Sequence, residues 1–170
     1  ELTKERDISA LPPLVKGGAI VVPKGLLRGS ETVDPAETSF DAELRSKVEL
    51  AAMAAVMRAE EHLGRRPRDV SKSKGIGYDV ESSDPRSGLL YFIEVKGRWN
   101  GRTDVTLTKT EIHCSRNKPE QWRLALVVVD ESGARAPRYL VDHQFPEPGF
   151  AETTRSFHLP SLLERAGDPR

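Results

Sequence analysis

The run Leu89-Leu90-Tyr91-Phe92-Ile93-Glu94-Val95-Lys96 constrains this chain more than any other segment. Its near-continuous apolar character is that of a β-strand covered on both faces. This strand then ends by presenting a carboxylate and an amine two positions apart. Side chains alternate along a strand, so Glu94 and Lys96 point to one face and Val95 to the other. Buried charge is costly unless it is paired or binds a metal, so these two residues call for an explanation. The preceding Gly75-Ile76-Gly77-Tyr78-Asp79-Val80 supplies a second carboxylate on what reads as the partner strand. An Asp and a Glu-x-Lys across a hairpin can hold a hard divalent cation beside a cationic group, which points to phosphodiester chemistry.

Composition bounds the options. At 170 residues the chain holds one well-covered core with peripheral elements. Charged residues make up 31% but sum to a net charge of +0, so a nucleic-acid function would need local concentrations of basic residues. The single cysteine, Cys114, excludes an internal disulfide framework and a cysteine-based zinc site, and fits a reducing compartment. No apolar stretch approaches a membrane span, and we expect a cytoplasmic setting with no membrane partner.

Residues 1–37 are rich in Pro and Gly, with one short strand expected at Ala19 to Val22. Because the chain opens on Glu1 rather than Met, they read as an arm or connector from a larger protein. Apolar residues at helical spacing predict a helix from about Phe40 to Leu63, stopped by Gly64. Arg65 to Lys74 reads as a basic loop. The Tyr78 strand, a turn over Ser82 to Gly88, the Leu89 strand and a third strand, Asp104 to Thr108, follow. Thr108-Lys109-Thr110-Glu111 matches a capping box opening a short helix to Asn117. Trp122 to Asp130 is a buried strand, Arg138 to Val141 an edge strand, and a terminal helix lies around Pro160 to Ala166. The order helix, three strands, helix, strand predicts an α/β sandwich around a mixed sheet, over residues 38–135, with 136–170 as an extension packing on the core.

That order, with Glu49, Gly75 to Val80, Ile93-Glu94-Val95-Lys96-Gly97, Thr108 to Glu111 and Trp122 to Val129, resembles the restriction-endonuclease-like superfamily and its PD-(D/E)xK motif. More closely, Val48 to Asp130 resembles the NO VEIN C-terminal-like domain, often appended to SWI/SNF-type helicases. The flanking Ala136-Pro137-Arg138-Tyr139 and Ser156-Phe157-His158-Leu159 fit the tail of helicase-borne copies. The chain departs in having Trp122 where Tyr is expected and no Pro before Asp79. The resemblance implies an endonuclease-like hydrolase of DNA, RNA not excluded, in a helicase or bacterial defence protein. Mg²⁺ or Mn²⁺ would be held by Asp79, Glu94 and the Val95 carbonyl, with Lys96 as the electrostatic or water-positioning group. Glu49 would aim at the same metal. Against that role, Ser46-Lys47-Val48-Glu49 is itself a capping-box pattern. Glu111 reads as a capping residue first and an active-site neighbour second.

Arg65, Arg66, Arg68, Lys72 and Lys74 before the Asp79 strand, and Arg98, Arg102 and Lys109 after Lys96, are expected to flank one mouth of the sheet as a phosphate-backbone track. Solvated loops are the ordinary fate of such runs. Trp99 stacks on a base or caps the core. His113-Cys114 lacks further ligands at zinc spacing and reads as packing. Two rivals stand beside the nuclease: a non-catalytic nucleic-acid-binding module, and a domain that docks within its parent.

Overall fold

A long helix, α1 (Pro35–His62), leads into a three-strand antiparallel meander, β1 (Arg66–Asp69), β2 (Val80–Ser83) and β3 (Leu90–Trp99). The chain continues through β4 (Asp104–Thr108), α2 (Lys109–Asn117), β5 (Trp122–Asp130), β6 (Gly133–Ala134), β7 (Arg138–Val141), β8 (Thr154–His158) and α3 (Leu159–Leu163). This computed structural model describes the backbone of residues 35–170 and the side chains from residue 42 onward; the strand expected at Ala19 to Val22 lies outside the described residues.

The main sheet runs β1-β2-β3-β5-β6, with β7 also paired to β5. It is mixed, because β3 and β5 are parallel while the other neighbours are antiparallel. The parallel pair needs a crossover, which α2 provides. Helix α1 covers one face: Val48, Ala52, Ala55 and Val56 pack with Val80, Ile93, Ala125, Val127 and Tyr139. The other face buries Phe92, Leu124 and Leu126 against Ile112 of α2, Leu162 of α3 and Val105 and Leu107 of β4. Residues 39–170 form one compact unit, into which everything beyond residue 135 is built.

Two glycines set how near the helices come. A Cβ on Gly97 would sit 2.8 Å from the Ala52 Cβ and 2.9 Å from the Val48 carbonyl oxygen, so α1 rests directly on β3 there. Gly77 has φ +79, which suits glycine. A Cβ on it would meet Cys114 and the Thr110 carbonyl at 2.8 Å, and its own carbonyl accepts from the Trp122 indole at 3.0 Å. Both α2 and β5 are thereby fixed against the segment that delivers Asp79.

Several expectations change. The first helix begins at Pro35, so Ser46 to Glu49 lie inside it and form no capping box. Part of the supposed basic loop is the edge strand β1. The expected third strand, β4, leaves the main sheet and pairs with β8 in a separate ribbon. The order of helix, three strands, helix and strand therefore persists, but β1 takes the place given to β4.

Candidate active site

The β2–β3 register pairs Val80 with Ile93, so Asp79 and Glu94 stand opposite each other, just where the chain leaves the sheet. The Asp79 amide donates to the Ile93 carbonyl at 2.9 Å, and the Asp79 carboxylate accepts from the Val95 amide at 3.0 Å. A side chain thus closes the ladder that the backbone abandons. Beyond this point that edge of β3 faces a cleft of about 510 Å³, lined by Glu49, Asp69, Ser71, Asp79, Glu94, Val95, Lys96, Arg98 and Glu111 among others.

Lys96 lies two residues past Glu94 on the same face, and its Nζ contacts Glu94 Oε1 at 2.6 Å and Glu111 Oε2 at 2.9 Å. Glu111 reaches it from the first turn of α2 while also serving the helix cap. Its Oε2 accepts from the Thr108 amide at 3.1 Å, and its own amide donates to Thr108 Oγ1 at 3.3 Å. The capping box therefore fixes a carboxylate beside Lys96. Both expected roles of Glu111 meet in one side chain.

Two carboxylates contact one amine, and a third, that of Asp79, stands opposite Glu94, with little solvent exposure. The Glu94 side chain is 5% exposed and that of Lys96 is 15% exposed. Burial pushes the Glu94 carboxyl up to about 8, and the charges of Asp79 and Glu111 add to burial, together outweighing the attraction of Lys96. Burial also raises Asp79, although the Val95 amide and Lys96 oppose it, and Asp79 can accept a hydrogen bond from a protonated Glu94. For Lys96, burial favours the neutral amine, but Glu94 and Glu111 more than offset it and hold the ammonium above the ordinary lysine value. The raised Glu94 carboxyl lets this cluster lower its excess charge by taking up a proton.

The basic residues divide. Arg65 does not belong to the rim: its side chain is 7% exposed and its Nη1 pairs at 3.1 Å with the fully buried Glu60, while its guanidinium stacks 4.0 Å from the Tyr91 ring centroid. Glu60 would otherwise be an unpaired buried charge. Lys109 likewise does not face the cleft rim as expected, because its amine donates to the Gly149 and Phe150 carbonyls at 3.3 and 3.2 Å. Arg66 and Arg68 are exposed on β1, with Arg68 paired to Glu81. Lys72 and Lys74 are exposed on the loop whose Ser71 and Ser73 line the acidic region. Arg98 and Glu49 line the cleft itself, and Arg102 lines the adjoining cavity. Sequence reasoning missed Asp69 and Ser71 as lining residues, since a short polar edge strand carries no periodic signal.

A mixed-sheet α/β domain with an acidic, lysine-bearing cluster at the free edge of its central strand is the class that fold and site define. The family model described as Protein NO VEIN, C-terminal, matches residues 48–140. That span covers more than half of the chain, and the chain belongs to this family. A search of curated proteins finds no match. The matched region carries Glu49, Asp79, Glu94, Lys96 and Glu111.

Proposed function

We propose that this domain hydrolyses phosphodiester bonds of DNA with Mg²⁺ or Mn²⁺, on a restriction-endonuclease-like core of PD-(D/E)xK type. The observation that carries the reading is unbalanced charge: Glu94 and Glu111 contact the single amine of Lys96, and the Asp79 carboxylate stands opposite Glu94 within reach of the same charges. A structural ion pair needs no such surplus, whereas a cation site does. The order of α1, the meander β1 to β3, α2 and β5 agrees with the superfamily core. The same chemistry would act on RNA, and a larger helicase-type or defence protein is the setting that the family resemblance suggests.

The donor set fits a hard cation, which takes one or two carboxylates and keeps water and phosphate oxygens as its other ligands. Among the described residues no group of three His, Cys, Asp or Glu side chains is set to hold a metal ion, so any ion here would rest on two carboxylates with water and phosphate oxygens. Asp79 and Glu94 would hold the ion with the Val95 carbonyl, and Glu49 would serve its water from across the cleft. When bound, such an ion lowers the pKa of a water and offsets phosphate charge. Lys96, its amine already aimed by Glu94 and Glu111, would orient the attacking water or meet the charge developing on phosphate. Arg98 would hold an adjacent phosphate.

The test is a titration of the purified chain with Mn²⁺ or Mg²⁺. A rise in Tm with metal, together with nicking of plasmid or single-stranded DNA, is expected. If neither occurs, the isolated domain is not a nuclease. The double engagement of Lys96 by Glu94 and Glu111 favours, as a second reading, a nucleic-acid-binding module with a relic site. Retardation of DNA without nicking would support it.

A further inference from the structure

A second cavity, of about 490 Å³, continues from the acidic cleft and shares Glu49, Gly97 and Arg98 with it. Its walls combine the apolar Leu44, Val48 and Trp99 with the guanidinium-bearing Arg98 and Arg102. Its size falls within the range of small-ligand clefts, roughly 300–1,000 Å³. Arg98 is set before any ligand arrives, because its Nε donates to the Asp104 carbonyl at 2.9 Å and its Nη1 to the Gly97 carbonyl at 2.7 Å. Trp99 is half-buried, packed partly against the core beneath α1. Trp99 lies three residues beyond Lys96 and so faces the α1 side of β3, but the two cavities meet around Glu49, Gly97 and Arg98 at the strand's edge.

We infer that this cavity receives one unpaired nucleotide beside the scissile phosphate, so that the substrate is a single-stranded stretch, overhang or flap rather than intact duplex. This rests on the hydrolytic reading of the acidic cleft. A base within a duplex is stacked on both faces and hydrogen-bonded along its edge, so it cannot enter a walled cavity without leaving the helix. An unpaired base enters freely and gains apolar and aromatic contact that is tolerant of sequence. Arg98 and Arg102 at the same place offer the phosphate flanking that base a planar, charge-assisted partner.

The experiment compares the whole 170-residue chain, in EDTA to prevent cleavage, on labelled oligothymidine, on a duplex with a 3′ or 5′ overhang, and on a blunt duplex. Single-stranded and overhang probes are expected to bind at least about tenfold tighter than blunt duplex, since one base–aromatic contact is worth roughly ten- to a hundredfold. The chain has two tryptophans, and Trp122 is buried at 3% exposure. Base contact should therefore quench Trp99 fluorescence, and Trp99→Phe, a change that keeps a core-packing ring, should abolish the quench. Arg102→Ala, an exposed position, should weaken the single-stranded probe several-fold and leave the melting curve unchanged. Equal affinity for blunt duplex, or a quench that survives in Trp99→Phe, overturns the inference. Metal-dependent nicking that persists without single-strand preference removes this subsite alone, while absence of both nicking and binding removes the hydrolytic reading with it.

Discussion

Two clusters of buried charge occupy opposite faces of one sheet and differ in their sums. On the α1 face, Glu60 is fully buried and meets a single guanidinium, that of Arg65, which also lies over Tyr91. Burial, and then the charge of Glu60, push the Tyr139 hydroxyl upward, so that group stays neutral. Glu60 and Arg65 cancel as a pair on that face, beside the buried Arg123, whose Nη1 donates to the Glu120 and Trp122 carbonyls. On the α2 face, Glu94 and Glu111 contact Lys96 while Asp79 stands opposite Glu94, and burial with these neighbouring carboxylates raises Glu94 toward its protonated form. Balanced buried charge is architecture, expensive to break and needing nothing further. Unbalanced buried charge is kept for something else: it calls for a proton or a cation, and the protein can exchange one for the other.

The largest effect should come from unbalancing the balanced side. Arg65→Ala strands Glu60 in the core and is expected to cost about 3–5 kcal/mol of stability, read as a lowered denaturation midpoint in urea. Replacing both partners by apolar residues of similar volume should recover most of that loss. An Arg65→Ala variant within about 1 kcal/mol of wild type would mean that Arg65 belongs to the solvated rim after all.

On the other face a cation is removed with the opposite result. Lys96→Ala is expected to lower turnover about 10²–10³-fold, the scale of losing one preorganised electrostatic partner. Metal binding should stay or tighten, because a competing positive charge has gone. Asp79→Ala should lose both metal-induced stabilisation and cleavage. If Lys96→Ala and Asp79→Ala respond alike in a Mn²⁺ titration, the two residues do not have separate roles.

Proton and metal should also compete. Glu94 titrates near 8 in the folded chain, against 4.5 for an ordinary glutamate, so between those values the folded state binds a proton that the unfolded state has lost. Its contribution to stability is complete below about pH 4.5 and is lost as pH rises through about 8. The metal-free chain should therefore show a falling Tm over that window, and Glu94→Gln should flatten the decline. Stabilisation by Mg²⁺ should grow across the same window, as the ion displaces the proton. A Tm that rises steadily from pH 5 to 8 without metal would contradict this.

Sequence carried the strands buried on both faces and the helix cap. The runs at Leu90–Trp99 and Trp122–Asp130 are long with apolar cores, and Thr108 with Glu111 forms the expected box. It did not carry Arg66-Pro67-Arg68-Asp69 as a strand, because an edge strand with Pro and three charges buries too little to leave an alternating pattern. Nor did it carry the pairing of β4 with β8, some fifty residues apart in the chain (Thr106 opposite Ser156), which local periodicity does not encode. Arg65 and Arg66 adjoin in sequence and part in space: one turns back onto Glu60 just after α1 ends, the other begins an exposed strand. Asp79, Glu94 and Lys96 could be read because strand alternation fixes their faces. The Lys96 contact of Glu111 was harder to foresee, since the cap alone accounts for that residue.

The smallest effects belong to the outer rim, and they test the same contrast between committed and uncommitted charge. Arg66, Lys72 and Lys74 are exposed, so replacing each by Ala should change stability by less than about 0.5 kcal/mol. If they track a phosphate backbone, the triple variant should nevertheless weaken DNA binding to a similar extent for every sequence. The slope of log affinity against log salt should fall by about 0.9 for each duplex phosphate no longer neutralised, or about 0.7 on a single strand. Arg65→Ala provides the internal control: it should damage folding while leaving that slope unchanged in whatever fraction remains native. An unchanged slope in the triple variant would confine nucleic-acid contact to Arg98 in the cleft and Arg102 in the adjoining cavity. Binding would then depend on the groove along β3 and not on the loop that precedes Asp79.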